Sequence, residues 1–199
     1  MYAVQFAGLT IALATFGSTM ALANTGPCPE PGKPARVPLE NPSFLGSTGD
    51  IPANWVAKEH RVRDHYEFRA DDNAPLSAPT SARIRQIKPE DFGVLDQTVR
   101  VLACWQGQRA RLTGFLRTEA AVGVGAGLVM QTVGPDGSIQ TWNHMNDSRV
   151  RGTQPWKKHQ IEVAIPGNAE RLRVGVMLEE GGTLWADDLS LEILTSVAK

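Results

Sequence analysis

Residues 171–178 alternate Leu172, Val174, Val176 and Leu178 with Arg171, Arg173, Gly175 and Met177, a period of two that an extended strand satisfies and a helix does not. The pattern recurs over residues 97–103, where Val99, Val101 and Ala103 share a face, and over residues 160–165, with Ile161, Val163 and Ile165. Near the end, Leu189, Leu191 and Ile193 alternate with Ser190, Glu192 and Leu194. Further strands are expected over residues 61–68, 81–87, 109–116, 127–133 and 138–143, with Gly134-Pro135-Asp136-Gly137 closing the last two into a hairpin. No segment sustains the apolar spacing of a long amphipathic helix. Many short strands joined by turns predict an all-β chain folded as a two-sheet antiparallel β-sandwich, a jelly roll.

Three stretches divide the chain. Residues 1–23 carry no charged side chain, hold an apolar run from Phe6 to Ala14 and end on Ala21-Leu22-Ala23, the small residues of a signal-peptide cleavage site. Such a leader predicts a secreted or periplasmic protein with no membrane span once it is removed. Residues 24–38 form an arm with five prolines and two glycines between Gly26 and Pro38, a composition expected to stay extended and unpaired. Residues 39–199 form the binding domain. An oxidising compartment favours pairing of the two cysteines, and a Cys28–Cys104 disulfide would staple the arm to the body.

A formal charge of -1 removes the basic field that a phosphate backbone requires, so no nucleic acid partner is expected. Enzyme signals are missing too. There is no Gly-x-Ser-x-Gly elbow, and the adjacent acids Asp71-Asp72, Glu179-Glu180 and Asp187-Asp188 point to opposite sides of a strand or lie in turns. His60 and His65 sit among charges near Asp64, lack the spacing of a zinc site and read as surface residues. Gly123-Val124-Gly125-Ala126-Gly127 precedes a strand-like run rather than a helix, so it reads as a flexible strand entry or bulge, not a phosphate cradle. Asn146-Asp147-Ser148 matches the glycosylation sequon.

The opening Asn41-Pro42-Ser43-Phe44 with Asp50-Ile51-Pro52-Ala53-Asn54-Trp55 and the closing Gly182-Thr183-Leu184-Trp185-Ala186-Asp187-Asp188-Leu189 resemble the two ends of carbohydrate-binding-module-like jelly rolls with the galactose-binding-domain fold. Residues 144–156, with His144, Met145, Arg149, Gly152, Thr153 and Trp156, are similar to bacterial domains of unknown ligand, some of them labelled transcriptional regulators, although no helix-turn-helix pattern accompanies them here. The resemblance covers residues 39–194 and implies a non-catalytic module for carbohydrate or glycan. It also implies a structural calcium at Asp187 and Asp188, joined by Glu40 if the first and last strands are neighbours, because hard oxygen donors suit that ion; the other reading is that one Asp caps a turn while the other is solvated. Leu45 departs from the pattern, since many such modules place an acid there.

Trp142 stands apart from the other tryptophans. Over residues 139–145 it shares a face with Gln140 and His144, while Ile139, Thr141, Asn143 and Met145 face the other way. With Gln131 from the neighbouring strand, and Arg117 if its strand is adjacent, Trp142 and His144 make a candidate ligand site: an aromatic platform for stacking and convergent polar groups for orientation. Trp55, Trp156 and Trp185 are expected to serve as core or sheet-edge packing. The alternative is a structural sandwich that contacts a protein of the cell envelope.

Overall fold

The computed structural model describes residues 26–195, so the expected leader over residues 1–23 lies outside the described residues. Ten strands follow in order: β1 (Ala35–Val37), β2 (Val56–Glu59), β3 (Tyr66–Asp71), β4 (Ser81–Gln86), β5 (Phe92–Arg100), β6 (Arg109–Val133), β7 (Ile139–Asn143), β8 (Val150–Ala164), β9 (Arg171–Glu179) and β10 (Thr183–Leu194). Every strand pair is antiparallel. Among the described residues no helix is long and apolar enough to cross a membrane.

One strand organises the two layers. The first half of β6 pairs with β10 and β8, and its second half with β9 and β7. One sheet therefore carries β3, β4, β10, early β6 and β8; the other carries β2, β5, β9, late β6 and β7. The two segments expected over residues 109–116 and 127–133 are one strand of 25 residues. Its glycine run is where the strand changes sheet: Ala120, Gly123 and Gly125 all have positive φ, and a Cβ at Gly123 would stand 1.2 Å from the Glu180 carboxylate.

The core lies between the layers. Leu112, Leu116, Leu128 and Met130 of β6 share one core cluster with Leu172, Val174, Val176 and Leu178 of β9 and Leu184, Leu191 and Ile193 of β10, all fully buried. Each such side chain contributes on the order of 1.5–3 kcal/mol relative to exposure. The opening motif serves packing. Phe44 and Trp55 meet at 4.6 Å between ring centroids, and the Trp55 indole donates to the Asn41 carbonyl. The Asn41 amide in turn clasps Leu45 through both its backbone N–H and its carbonyl.

The arm differs from its expectation. Ala35, Arg36 and Val37 pair with Ile193, Glu192 and Leu191, because Pro34 and Pro38 bracket three residues with free N–H groups and Ala35 and Val37 have core to bury against. Upstream, Cys28 and Cys104 form a disulfide, and the buried Trp105 indole donates to the Pro27 carbonyl. Ala103 and Cys104 belong to a 3-10 turn, Ala103–Trp105, so the strand expected over residues 97–103 instead runs from Phe92 to Arg100. Likewise residues 61–65 remain outside β3, whose start at Tyr66 follows the three amides of residues 64–66 that donate to the Glu59 carboxylate.

Candidate functional site

The sheet of β2, β5, β9, late β6 and β7 buries one face and opens the other. On the open face the register sets Lys58 beside Val94, Val94 beside Met177, Thr98 beside Arg173, Arg173 beside Gln131, and Gln131 beside Trp142. Cross-strand neighbours project to the same side, so these residues share one surface. Over it lies a cleft of about 360 Å³. Its floor is apolar: Val94, Val129 and Met177 form a small cluster of their own, separate from the main core, with Phe92 packed at the side.

A chain of polar contacts crosses this floor from strand to strand. Lys58 donates to both oxygens of the buried Asp96 carboxylate at 2.6 and 2.8 Å. The Arg173 guanidinium approaches the same carboxylate at 3.8 Å and donates to Gln131 Oε1 at 3.2 Å. Gln131 Nε2 then meets His144 Nε2 at 3.0 Å. These contacts fix protons. Because Gln131 Oε1 accepts from arginine, its Nε2 is the amide donor, so His144 Nε2 accepts and the ring proton sits on Nδ1. Burial, and then the nearby positive charge of Arg149, hold the His144 imidazole below its ordinary pKa, in the neutral form that this bond requires.

Trp142 stands at the β7 side of this row and is 59% exposed, whereas Trp55, Trp105 and Trp185 are buried. Trp156 is half-buried and donates its indole N–H to the Ala74 carbonyl. Ile139 joins the cleft lining with Gln131 and His144 instead of facing away, because the β6–β7 register slips between Thr132 and Val133. Gln131, His144 and Trp142 are thus brought together.

Arg117 is not with them. It lies in β6 ahead of the crossover, on the opposite sheet, with its guanidinium 4.0 Å from the Trp185 ring centroid and 5.6 Å from that of Trp156. It donates to the Asn73 carbonyl there. The expected adjacency fails because one strand serves both sheets.

The acidic edge also separates. Asp187 accepts from the Ser77 amide, the Ser77 hydroxyl and the Asp188 amide, and Asp188 accepts from the Ser43 hydroxyl. Ser77 Oγ lies 3.0 Å from Asp187 Oδ1 and 3.2 Å from Asp188 Oδ1, sharing one proton between two carboxylates. Burial pushes the Asp187 carboxyl up despite these donors. Glu40 is elsewhere: its backbone N–H and carbonyl exchange bonds with the Gln97 side-chain amide. Protein donors reach three of the four Asp187 and Asp188 carboxylate oxygens, and among the described residues Glu40, Asp187 and Asp188 do not gather into one group of metal-ligand atoms.

Lys58, Asp96, Arg173, Val94 and Met177 were not among the site residues expected from sequence. Asp96 carried a signal, since an acid inside the strand run Val94-Leu95-Asp96-Gln97 must be paired if buried. Its lysine partner is 38 residues away, which no local pattern reveals.

No protein-family model matches the chain. It is 28% identical over 86 residues to an uncharacterized HTH-type transcriptional regulator, YbfP, of Bacillus subtilis (strain 168); that match covers 43% of this chain and 29% of that protein. The chain thus spans under a third of the relative's length. Among solved structures, it superposes on the CBM22-1 xylan-binding domain of Paenibacillus barcinonensis Xyn10C with a TM-score of 0.55, at 13% identity over 77% of this chain and 92% of that one. An arabinose-bound GH51 α-L-arabinofuranosidase gives 0.58 at 15% identity, over 78% of this chain and 26% of that one. The enzymatically active domain of tailspike protein 4 from bacteriophage CBA120 gives 0.56 at 10% identity, over 77% and 22%. The fold is that of carbohydrate-binding-module-like jelly rolls, and in the last two structures it matches only a minor part of a longer chain.

Proposed function

We propose that this protein is a non-catalytic, exported module that binds a carbohydrate or glycan in the cleft between β2 and β7. One observation carries the reading: a polar chain, Lys58–Asp96–Arg173–Gln131–His144, crosses four neighbouring strands to the residue that follows β7, over an apolar floor, with the exposed Trp142 at its end. A sugar ring presents an apolar C–H face and a rim of hydroxyls that both donate and accept. Val94, Val129, Met177 and Trp142 match the face, and the alternating donors and acceptors of the chain match the rim. The jelly-roll neighbours, one of them a xylan-binding domain, support the same class of ligand.

A hydrolytic reading finds no free acid–base pair in this cleft. Asp96 is held by Lys58, Glu179 by Arg149, and Glu59 by the amides of residues 64–66. The Cys28–Cys104 bridge supports a working place outside the reducing cytosol. The test is intrinsic tryptophan fluorescence on titration with xylo-, galacto- and arabino-oligosaccharides. A saturable change is expected, lost in Trp142→Ala and in Asp96→Asn and kept in Trp55→Phe. If no oligosaccharide saturates, or if Trp142→Ala responds like the unaltered protein, the assignment fails.

A further inference from the structure

Outside the cleft's polar chain, His60, Glu90 and Asp91 bring one imidazole nitrogen and two carboxylate oxygens to a single point at the end of the same sheet, with all donor atoms within 4.8 Å of one another. His60 follows β2, and Glu90 and Asp91 precede β5, so two chain segments 30 residues apart supply the group. His60 Nδ1 lies 2.8 Å from Asp91 Oδ2 and 3.5 Å from Glu90 Oε1. A tetrahedral ion with ligands at about 2.1 Å has ligand-to-ligand edges of roughly 3.4 Å, so the His60–Glu90 edge already matches and the His60–Asp91 edge has to open by about 0.6 Å.

The surroundings hold these donors in place before any ion arrives. The His60 ring packs on Phe92 at 4.8 Å between centroids, and its backbone N–H bonds the Phe92 carbonyl. The Glu90 side chain is 6% exposed, and backbone N–H groups of Val62 and Asp91 fix one oxygen each. The Glu90 carbonyl is gripped by the Tyr66 hydroxyl and the Gln86 amide. Such outer partners orient ligands and set affinity in metal sites. The remaining coordination position faces solvent, because 66% of the Asp91 side chain is exposed.

We propose that His60, Glu90 and Asp91 bind a divalent cation of the borderline class, Zn²⁺ foremost, with the fourth position open. One nitrogen and two carboxylate oxygens favour this class over calcium, which takes six to eight oxygen ligands. Binding replaces the proton-mediated contact at Nδ1 with a metal bond and leaves the ring proton on Nε2.

The experiment is calorimetric titration of the full chain with Zn²⁺ alone, after chelator treatment, with melting followed in parallel. One ion per chain and a higher melting temperature are expected. His60→Ala and Asp91→Asn should each weaken binding by at least about ten-fold, while His144→Gln should not change it. Asp91→Asn alters a largely exposed side chain, so it reports on the ion even if His60→Ala disturbs Phe92. Absence of saturable binding, or equal affinity in wild type and Asp91→Asn, would overturn the assignment. Neither readout involves sugar, so the proposed carbohydrate function stands or falls separately.

Discussion

The two sheets of this sandwich treat charge in opposite ways. On the β3–β4–β10 sheet a cluster of charges is answered by close neighbours. Glu67 sits among Arg69, Arg83 and Arg85; Arg83 also meets Asp71; Arg117 lies between Trp185 and Trp156. The Asp71 carboxyl, though burial opposes ionisation, is held below its ordinary range by the Asn73 amide, the Trp185 indole and Arg83. On the β2–β5–β9 sheet, the polar groups form an open row with capacity to spare above an apolar hollow. The contrast separates a surface built for cohesion from one kept available, and it explains why aromatic side chains on the two sheets should respond differently to truncation.

The largest effect should come from the closed side. Trp185→Ala removes a buried indole that carries the Arg117 contact and a bond to Asp71, and should cost about 3–5 kcal/mol in urea unfolding. Asp96→Asn on the open side should cost roughly 2–3 kcal/mol, since it removes the charge that answers Lys58 and Arg173. It should abolish oligosaccharide binding as well. Trp142→Ala should move stability by less than about 0.5 kcal/mol, because that ring is mostly exposed. Its affinity loss should be about ten-fold, or ~1.4 kcal/mol. If the two tryptophan variants behaved alike, the division between the sheets would collapse.

Acid should act on the open side. The folded-state pKa of His144 is depressed, so between that value and the ordinary imidazole pKa of 6.5 the unfolded chain binds more protons. Stability should therefore fall as pH drops below 6.5, and a protonated Nε2 would oppose the Gln131 amide and break the polar row. Melting between pH 7 and pH 5 compared with His144→Gln checks this, the variant showing a shallower slope. Smallest of all, adding Ca²⁺ to chelator-treated protein should leave the melting temperature unchanged, because Ser43, Ser77 and the Asp188 amide already donate to Asp187 and Asp188.

The strand pattern was legible where alternation was long. Residues 171–178 and 189–193 lie inside β9 and β10, and Gly134-Pro135-Asp136-Gly137 makes the β6–β7 turn, with Asp136 accepting from Ser138. What local pattern could not give was sheet membership. Arg117 and Gln131 are on one strand yet on different sheets, and only the crossover at residues 120–125 decides it. The grouping of Trp142, His144 and Gln131 was accessible because Gln131 and Trp142 pair across one hairpin and His144 follows its second strand directly. Lys58, Asp96 and Arg173 come from three distant segments, and so do the paired partners of the arm.

Because the segment Arg109–Val133 passes through both layers without a break, neither sheet can come apart while the other stays whole. A molecule seated near Gln131 therefore steadies the amides of Ala110 and Leu112 at the far end of the same strand, and hydrogen exchange there should slow on ligation although nothing touches them.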